Sequence, residues 1–214
     1  MVDTTELEAQ FFATAEALHV SLSDQASIFS LLSPLKSGPP AVAEHYAHSL
    51  RVGLLAAKIA AVALLPAPPL FIAGTLHDVG KSLIPFDVLG KTSDWTKEDT
   101  LIMRNHVMLG YNLLRSRFPL AADIMVWHHR YQPDPYPDTI PPFAYSENDG
   151  LVKHIVTYGR LLALADCYDA MHRKNSKYGA ALTGIEIKKK MFLSNTDKTS
   201  LLTNLYRRNI FSEE

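Results

Sequence analysis

The 214-residue sequence contains one cysteine, Cys167, which excludes an intramolecular disulfide and any zinc site built from several thiolates. It also lacks an excess of charge of either sign, with 21 basic residues against 22 acidic ones and a formal net charge of −1. That balance offers no platform for a DNA or RNA duplex or for an anionic membrane surface. The most apolar stretch, "LRVGLLAAKIAAVALLPAPPLFIAG", is broken by Arg51, Lys58 and three prolines, so no uninterrupted run is long enough to span a bilayer. The N-terminus "MVDTTELEAQFF" has neither the basic start nor the apolar centre of a secretion signal, and the reading is of a cytoplasmic protein with no membrane partner. Strand-type alternation is scarce too, whereas helical periodicity appears almost everywhere.

The expected fold class is therefore all-α. Helices are predicted at about 4–19, 24–33, 41–65, 69–79, 97–117, 119–129, 151–172, 184–194 and 197–208. Thr96 with Asp99 and Thr183 with Glu186 have the spacing of capping boxes. The turn-rich piece "SPLKSGPPAVAE" divides a small N-terminal helical section, 1–40, from a main body, 41–214. Residues 131–150, "YQPDPYPDTIPPFAYSENDG", form the one long irregular segment, because their prolines forbid regular helix.

Several polar residues fall in apolar stripes. His48 shares a helix face with Val52, Leu55, Ile59 and Val62, and His106 shares one with Ile102, Leu109 and Leu113. Asp166 and Asp169 end the stripe Val152, Ile155, Gly159, Leu162, while His128, with His129 beside it, follows Leu120 and Ile124. A lone histidine on such a face is usually a hydrogen-bonded core residue, and His19, His45, His154 and His172, which lie off these stripes, are read as non-ligands. The set is harder to explain so. Burying Asp78, Asp166 and Asp169 without partners costs several kcal/mol each, and candidate basic partners are few. Divalent cations held by imidazole and carboxylate supply the missing positive charge. His48, His77, Asp78, His106, His128, His129 and Asp166 are too many donors for one ion and suit a pair that shares Asp78 as a bridge. Glu44, one turn before His48, either extends the site toward a third ion or is an exposed helix-start glutamate.

The ordered motifs "HSLRV", "LHDVGKSLIP", "NHVMLGYNLL", "WHHRYQPDPYP" and "ALADCYDAM" resemble the HD superfamily of metal-dependent phosphohydrolases. Within it they are most similar to the HD-GYP subgroup, whose members are typically cyclic di-GMP phosphodiesterases. The resemblance covers roughly residues 41 to 175 and implies an HD-domain helical bundle. It implies His48, His77, Asp78 and Asp166 around one metal, and His106, His128 and His129 around a second bridged by Asp78. It further implies Glu44 at a third metal, Lys81 of the "HDxGK" signature against a phosphate oxygen or the bridging hydroxide, and Asp169 supporting the site from behind its ligands. Departures cluster in one loop: subgroup members typically read His-His-Glu, then Asp-Gly, then Gly-Tyr-Pro. Here Arg130 replaces the glutamate, Pro133-Asp134 stands at the Asp-Gly position, Pro135 replaces the glycine, and "PYP" ends one residue early.

The chemistry so implied is hydrolysis of a phosphate ester by a hydroxide bridging two divalent ions, iron or manganese first, with Asp78 and Lys81 as catalytic groups. The implied substrate is a small phosphorylated nucleotide, cyclic di-GMP before others, with Lys81, Arg130, Tyr136 and Arg173 as candidate contacts and Tyr131 and Lys174 behind them. Two alternatives stay open: a nucleotide- or protein-binding regulatory module without turnover, and a diiron oxygenase of the HD fold. The N-terminal helices are compatible with sensing, with a homodimer, or with completing the core.

Overall fold

The structure, a computed structural model, describes residues 4–145, 149–172 and 182–213. Among these the fold is all-α, as the periodicity predicts, and contains no strand. The α-helices are α1 (Thr5–Ala17), α2 (Leu22–Lys36), α3 (Pro40–Val62), α4 (Ala67–Leu76), α5 (Phe86–Leu89), α6 (Lys97–Arg104), α7 (His106–Leu114), α8 (Pro119–Met125), α9 (Asp149–His172), α10 (Gly184–Ser194) and α11 (Thr199–Arg207). No described helix is long and apolar enough to cross a membrane.

Helix α3 is the axis of the molecule. It packs along α4 and α9 and is flanked by α1 and α2. Phe11 of α1 stacks on Phe71 of α4, and the buried residues from Phe11 to Phe211 form one continuous cluster. The N-terminal helices thus share the core of the main body.

Close approach between α3 and α4 depends on small residues. A Cβ on Gly74 would lie 3.1 Å from the Gly53 Cα, and one on Gly53 would overlap the Thr75 side chain. This contact draws His48, midway along α3, toward His77 at the end of α4. The chain then makes a 3₁₀ turn, Val79–Leu83, whose Gly80 lies directly on α7: a Cβ there would sit 2.0 Å from the His106 carbonyl oxygen. The His77-Asp78 pair and His106 are held together through that backbone contact.

Both capping boxes form, at Thr96/Asp99 and Thr183/Glu186. Several helix limits differ from expectation, each for a local reason. Helix α2 runs through Pro34 to Lys36, because a proline in the last turn removes only one of many backbone hydrogen bonds. The helix expected at 97–117 is two, α6 and α7, separated at Asn105 by a tighter bond from its N–H to the Ile102 carbonyl. The helix expected to end at 129 stops at Met125, so His128 and His129 stand on the turn that follows. A short helix, α5, had no signal beyond the Pro85 before it.

The proline-rich segment is irregular through residue 145 but firmly tied. Buried Asp123 accepts the backbone N–H groups of Ala144 and Tyr145 at 2.7 and 2.8 Å, and Tyr111 donates to the Pro142 carbonyl at 2.5 Å. Gly80→Ala is expected to lower stability by about 1–3 kcal/mol, the usual range for overpacking, because the added methyl meets backbone that cannot rotate away. Denaturant unfolding checks this, and an unchanged midpoint would show that the turn is not seated on α7.

Candidate metal centre

Four imidazoles of the cluster are oriented from behind. The Nδ1–H groups of His77 and His106 donate to the carbonyls of Gly74 and Met103, three residues back, at 2.7 and 2.6 Å, and that of His128 donates to Met125 in the same way. His48 uses a carboxylate instead, with Nδ1 2.6 Å from Asp169 Oδ2. Because a carbonyl or an ionised carboxylate only accepts, these bonds place the proton on Nδ1 and leave Nε2 as a lone-pair donor.

The four Nε2 atoms of His48, His77, His106 and His128 are buried and have no hydrogen-bond partner, and neither does Asp78 Oδ1. They converge. His106 Nε2 is 3.2 Å from Asp78 Oδ1, His77 Nε2 is 3.4 Å from Asp78 Oδ2, and His48 Nε2 is 3.1 Å from Asp166 Oδ1. Lone pairs facing carboxylate oxygens at such distances repel one another unless a cation or proton lies between them.

Three groups of donors lie within 4.8 Å of one another: Asp78 with His106, His128 and His129; His48 with His77 and Asp78; and His77 with His128 and Asp166. Asp78 belongs to two of them. The cluster is therefore able to hold metal, and its mixture of imidazole and carboxylate suits divalent first-row ions. Asp166 and His129 are the partly exposed members, so the centre opens on that side.

The electrostatics of the protein groups show how their charges balance. Burial by itself would push Asp78 up, but His77 and Lys81 outweigh it and hold the carboxyl well below the usual range. Asp166 is held down similarly by His48 and His77. Burial lowers His128 to about 3 and also holds His129 well below its ordinary value, which keeps both imidazoles neutral. Burial also disfavours charge on His77, yet Asp78 and Asp166 overcome it and raise the group to about 10. In the absence of metal a proton on His77 balances the carboxylates.

The other expected residues are placed as follows. Asp169 binds His48 and is gripped by Arg51, Nε to Oδ1 at 2.7 Å and Nη2 to Oδ2 at 3.2 Å. Glu44 is not in any of the three donor groups; its carboxylate is paired with Arg51 at 2.7 Å. Lys81 Nζ lies 2.6 Å from Asp78 Oδ2. Arg130 donates to the Pro137 carbonyl at 2.6 Å and so braces the loop. Tyr131 is hydrogen-bonded to the Val156 carbonyl, under Arg160. Tyr136 stacks on His129 with ring centres 4.4 Å apart. Arg173 and Lys174 lie outside the described residues.

Arg51, which holds Asp169 and Glu44, lies outside the set that the apolar-stripe argument finds. Its signal was its position, three residues after His48 and seven after Glu44, which puts all three on one helix face.

The sequence profile of the HD domain matches residues 45–171, more than half of the chain. The chain belongs to the HD domain family. The span of this HD domain runs from the first turns of α3 to the last turn of α9 and includes every histidine and aspartate of the cluster. The chain is 32% identical over 136 residues to a cyclic di-GMP phosphodiesterase of Thermotoga maritima, covering 60% of this chain and 34% of that protein. It is 36% identical over 106 residues to the cyclic di-GMP phosphodiesterase response regulator RpfG of Xanthomonas campestris pv. campestris, covering 47% of this chain and 25% of that one. The match thus spans about a third or less of the length of these relatives. Among solved structures, the HD domain of the L. monocytogenes phosphodiesterase PgpH superposes with a TM-score of 0.58 at 16% identity, over 85% of this chain and 95% of that one. That likeness establishes the HD helical fold.

Two outcomes are expected. Asp169→Ala removes the acceptor that aims His48 and should weaken metal binding about 10- to 100-fold in a competitive chelator titration. His77, ordinarily near 6.5, is raised to about 10, so the metal-free protein carries that proton at neutral pH and a metal must displace it. Metal affinity should then rise with pH, by about tenfold per unit while one proton is released. Calorimetry in buffers of different ionisation heat reads that proton, and an absence of proton release at pH 7 would contradict the assignment.

Proposed function

We propose that this HD domain is a metal-dependent phosphohydrolase, a phosphodiesterase acting on cyclic di-GMP or a related nucleotide. The observation that carries the reading is the convergence of four buried, unpartnered Nε2 atoms on Asp78 and Asp166. In this reading His48, His77, Asp78 and Asp166 hold one divalent ion and His106, His128 and His129 a second, with Asp78 shared between them. Iron and manganese suit that donor set best. When bound, such ions supply Lewis acidity at a phosphate oxygen and an activated water.

The residues around them do the rest. Asp169 and the three carbonyls fix the orientation of four rings before a substrate arrives. Lys81 sits at the rim of the centre with little exposure and adds a fixed positive charge where a phosphate would arrive. The partly exposed edge at Asp166 and His129 provides the approach. With Glu44 paired to Arg51, the reading needs no third ion.

The relatives named as cyclic di-GMP phosphodiesterases support that substrate, although Arg130 and Pro135 alter the loop beside it. The deciding measurement is turnover of cyclic di-GMP by protein loaded anaerobically with iron(II) or manganese(II), using Asp78→Ala as the blank. Metal-dependent release of linear dinucleotide or GMP, lost in the variant, is the expected result. An absence of turnover in protein carrying two metals would remove this substrate from the reading, and oxygen consumption in place of hydrolysis would remove the reaction class.

A further inference from the structure

A cleft of about 300 Å³ lies beside the centre, between α6 and the proline-rich loop. Its walls include Trp95, Met103, Arg104, Gln132, Asp134 and Tyr136. Two of these residues support members of the cluster: the Met103 carbonyl holds His106 and the Tyr136 ring stacks on His129. The cleft and the metal centre are therefore neighbours through shared side chains and backbone.

The chemistry of the cleft is cationic and aromatic. The Arg104 guanidinium lies 5.0 Å over the Tyr136 ring and forms an ion pair with Asp134. Trp95 is 38% exposed, and its indole N–H is taken by the Lys91 carbonyl at 3.1 Å, so ring surface is what it offers a ligand. Asp134 is 77% exposed at its side chain, and exposed ion pairs of this kind are weakly held.

A cyclic dinucleotide has two phosphates and two bases, of which one phosphate is engaged at the metals. The remaining half needs a planar cation for its phosphate and a flat surface for its base, and the volume is at the lower end for small-ligand pockets, which suits part of such a molecule. We propose that this cleft receives the half of the substrate that is not cleaved, with Arg104 binding its phosphate and Trp95 stacking on its base. In the free protein Asp134 occupies the guanidinium and is displaced by that phosphate. The proposal rests on the phosphodiesterase reading and adds to it a position for the second nucleotide and a residue that competes with it.

Arg104→Ala and Asp134→Asn weaken the same ion pair, and this separates a binding role from a structural one. Affinity for a hydrolysis-resistant phosphorothioate analogue of cyclic di-GMP is measured at saturating manganese for both variants. Arg104→Ala should bind about tenfold more weakly, the scale of a charge-assisted hydrogen bond, and Asp134→Asn should bind more tightly than the unmodified protein. Arg104→Lys, which keeps charge without the planar fork, should fall between Arg104→Ala and the unmodified protein. Asp134→Asn binding equally or more weakly would overturn the proposal, as would Arg104→Ala leaving affinity unchanged. Opposite shifts in a protein that turns over no dinucleotide would remove the dinucleotide as substrate and leave the cleft as a site that binds it, which separates the failure of the one reading from that of the other.

Discussion

Four imidazole nitrogens with no hydrogen-bond partner face two carboxylates in the interior of this HD domain. Buried polar atoms left in that condition are costly, and here they come from α3, the end of α4, the start of α7 and the turn after α8. The fold is arranged to bring them together. Gly53 and Gly74 let α3 and α4 approach, Gly80 seats the 3₁₀ turn on α7, and α9 supplies Asp166 along the remaining side. A charge at that point, from a metal or from a proton on His77, reconciles the arrangement with the low dielectric around it.

Orientation accounts for as much as proximity. His77, His106 and His128 reach carbonyls three residues back, so each ring is fixed by its own local chain. His48 lies mid-helix, where backbone carbonyls are already bonded within the helix, and so needs a side chain from elsewhere. Asp169 meets that need, and Arg51 in turn neutralises Asp169, joining α3 to α9 by a partly buried polar chain next to the centre. The same Arg51 engages Glu44, which explains why a glutamate one turn from His48 stands outside the donor groups.

The loop that departs most from the HD-GYP pattern is tied down through residue 145. Arg130, at the position of the subgroup's glutamate, bonds the Pro137 carbonyl, Asp123 receives the backbone N–H groups of Ala144 and Tyr145, and Tyr136 lies on His129. Its altered residues are used to brace its own backbone and to face Arg104 across the neighbouring cleft. What changes relative to the pattern is therefore the wall of the cleft, while the donors of the centre are kept.

Much of this was legible in the chain order. Helical periodicity alone placed His48, His106 and Asp169 on buried faces, with Asp166 at the end of the same stripe as Asp169, because one residue every 3.6 positions defines a side of a helix whatever it packs against. The two capping boxes and the irregular proline-rich segment were equally local, as short-range sterics and hydrogen bonds decide them. Other features were not. The break at Asn105, the early end of α8, the partnership of Arg51 with both Asp169 and Glu44, and the bonding of Arg130 within its own loop all depend on residues distant in sequence or on the bend of the chain between them. The sequence by itself determined which residues were too polar for the faces they occupy. Only the tertiary structure decided which of them meet, because a helix fixes the direction of a side chain but its partner is fixed by how closely the helices can pack.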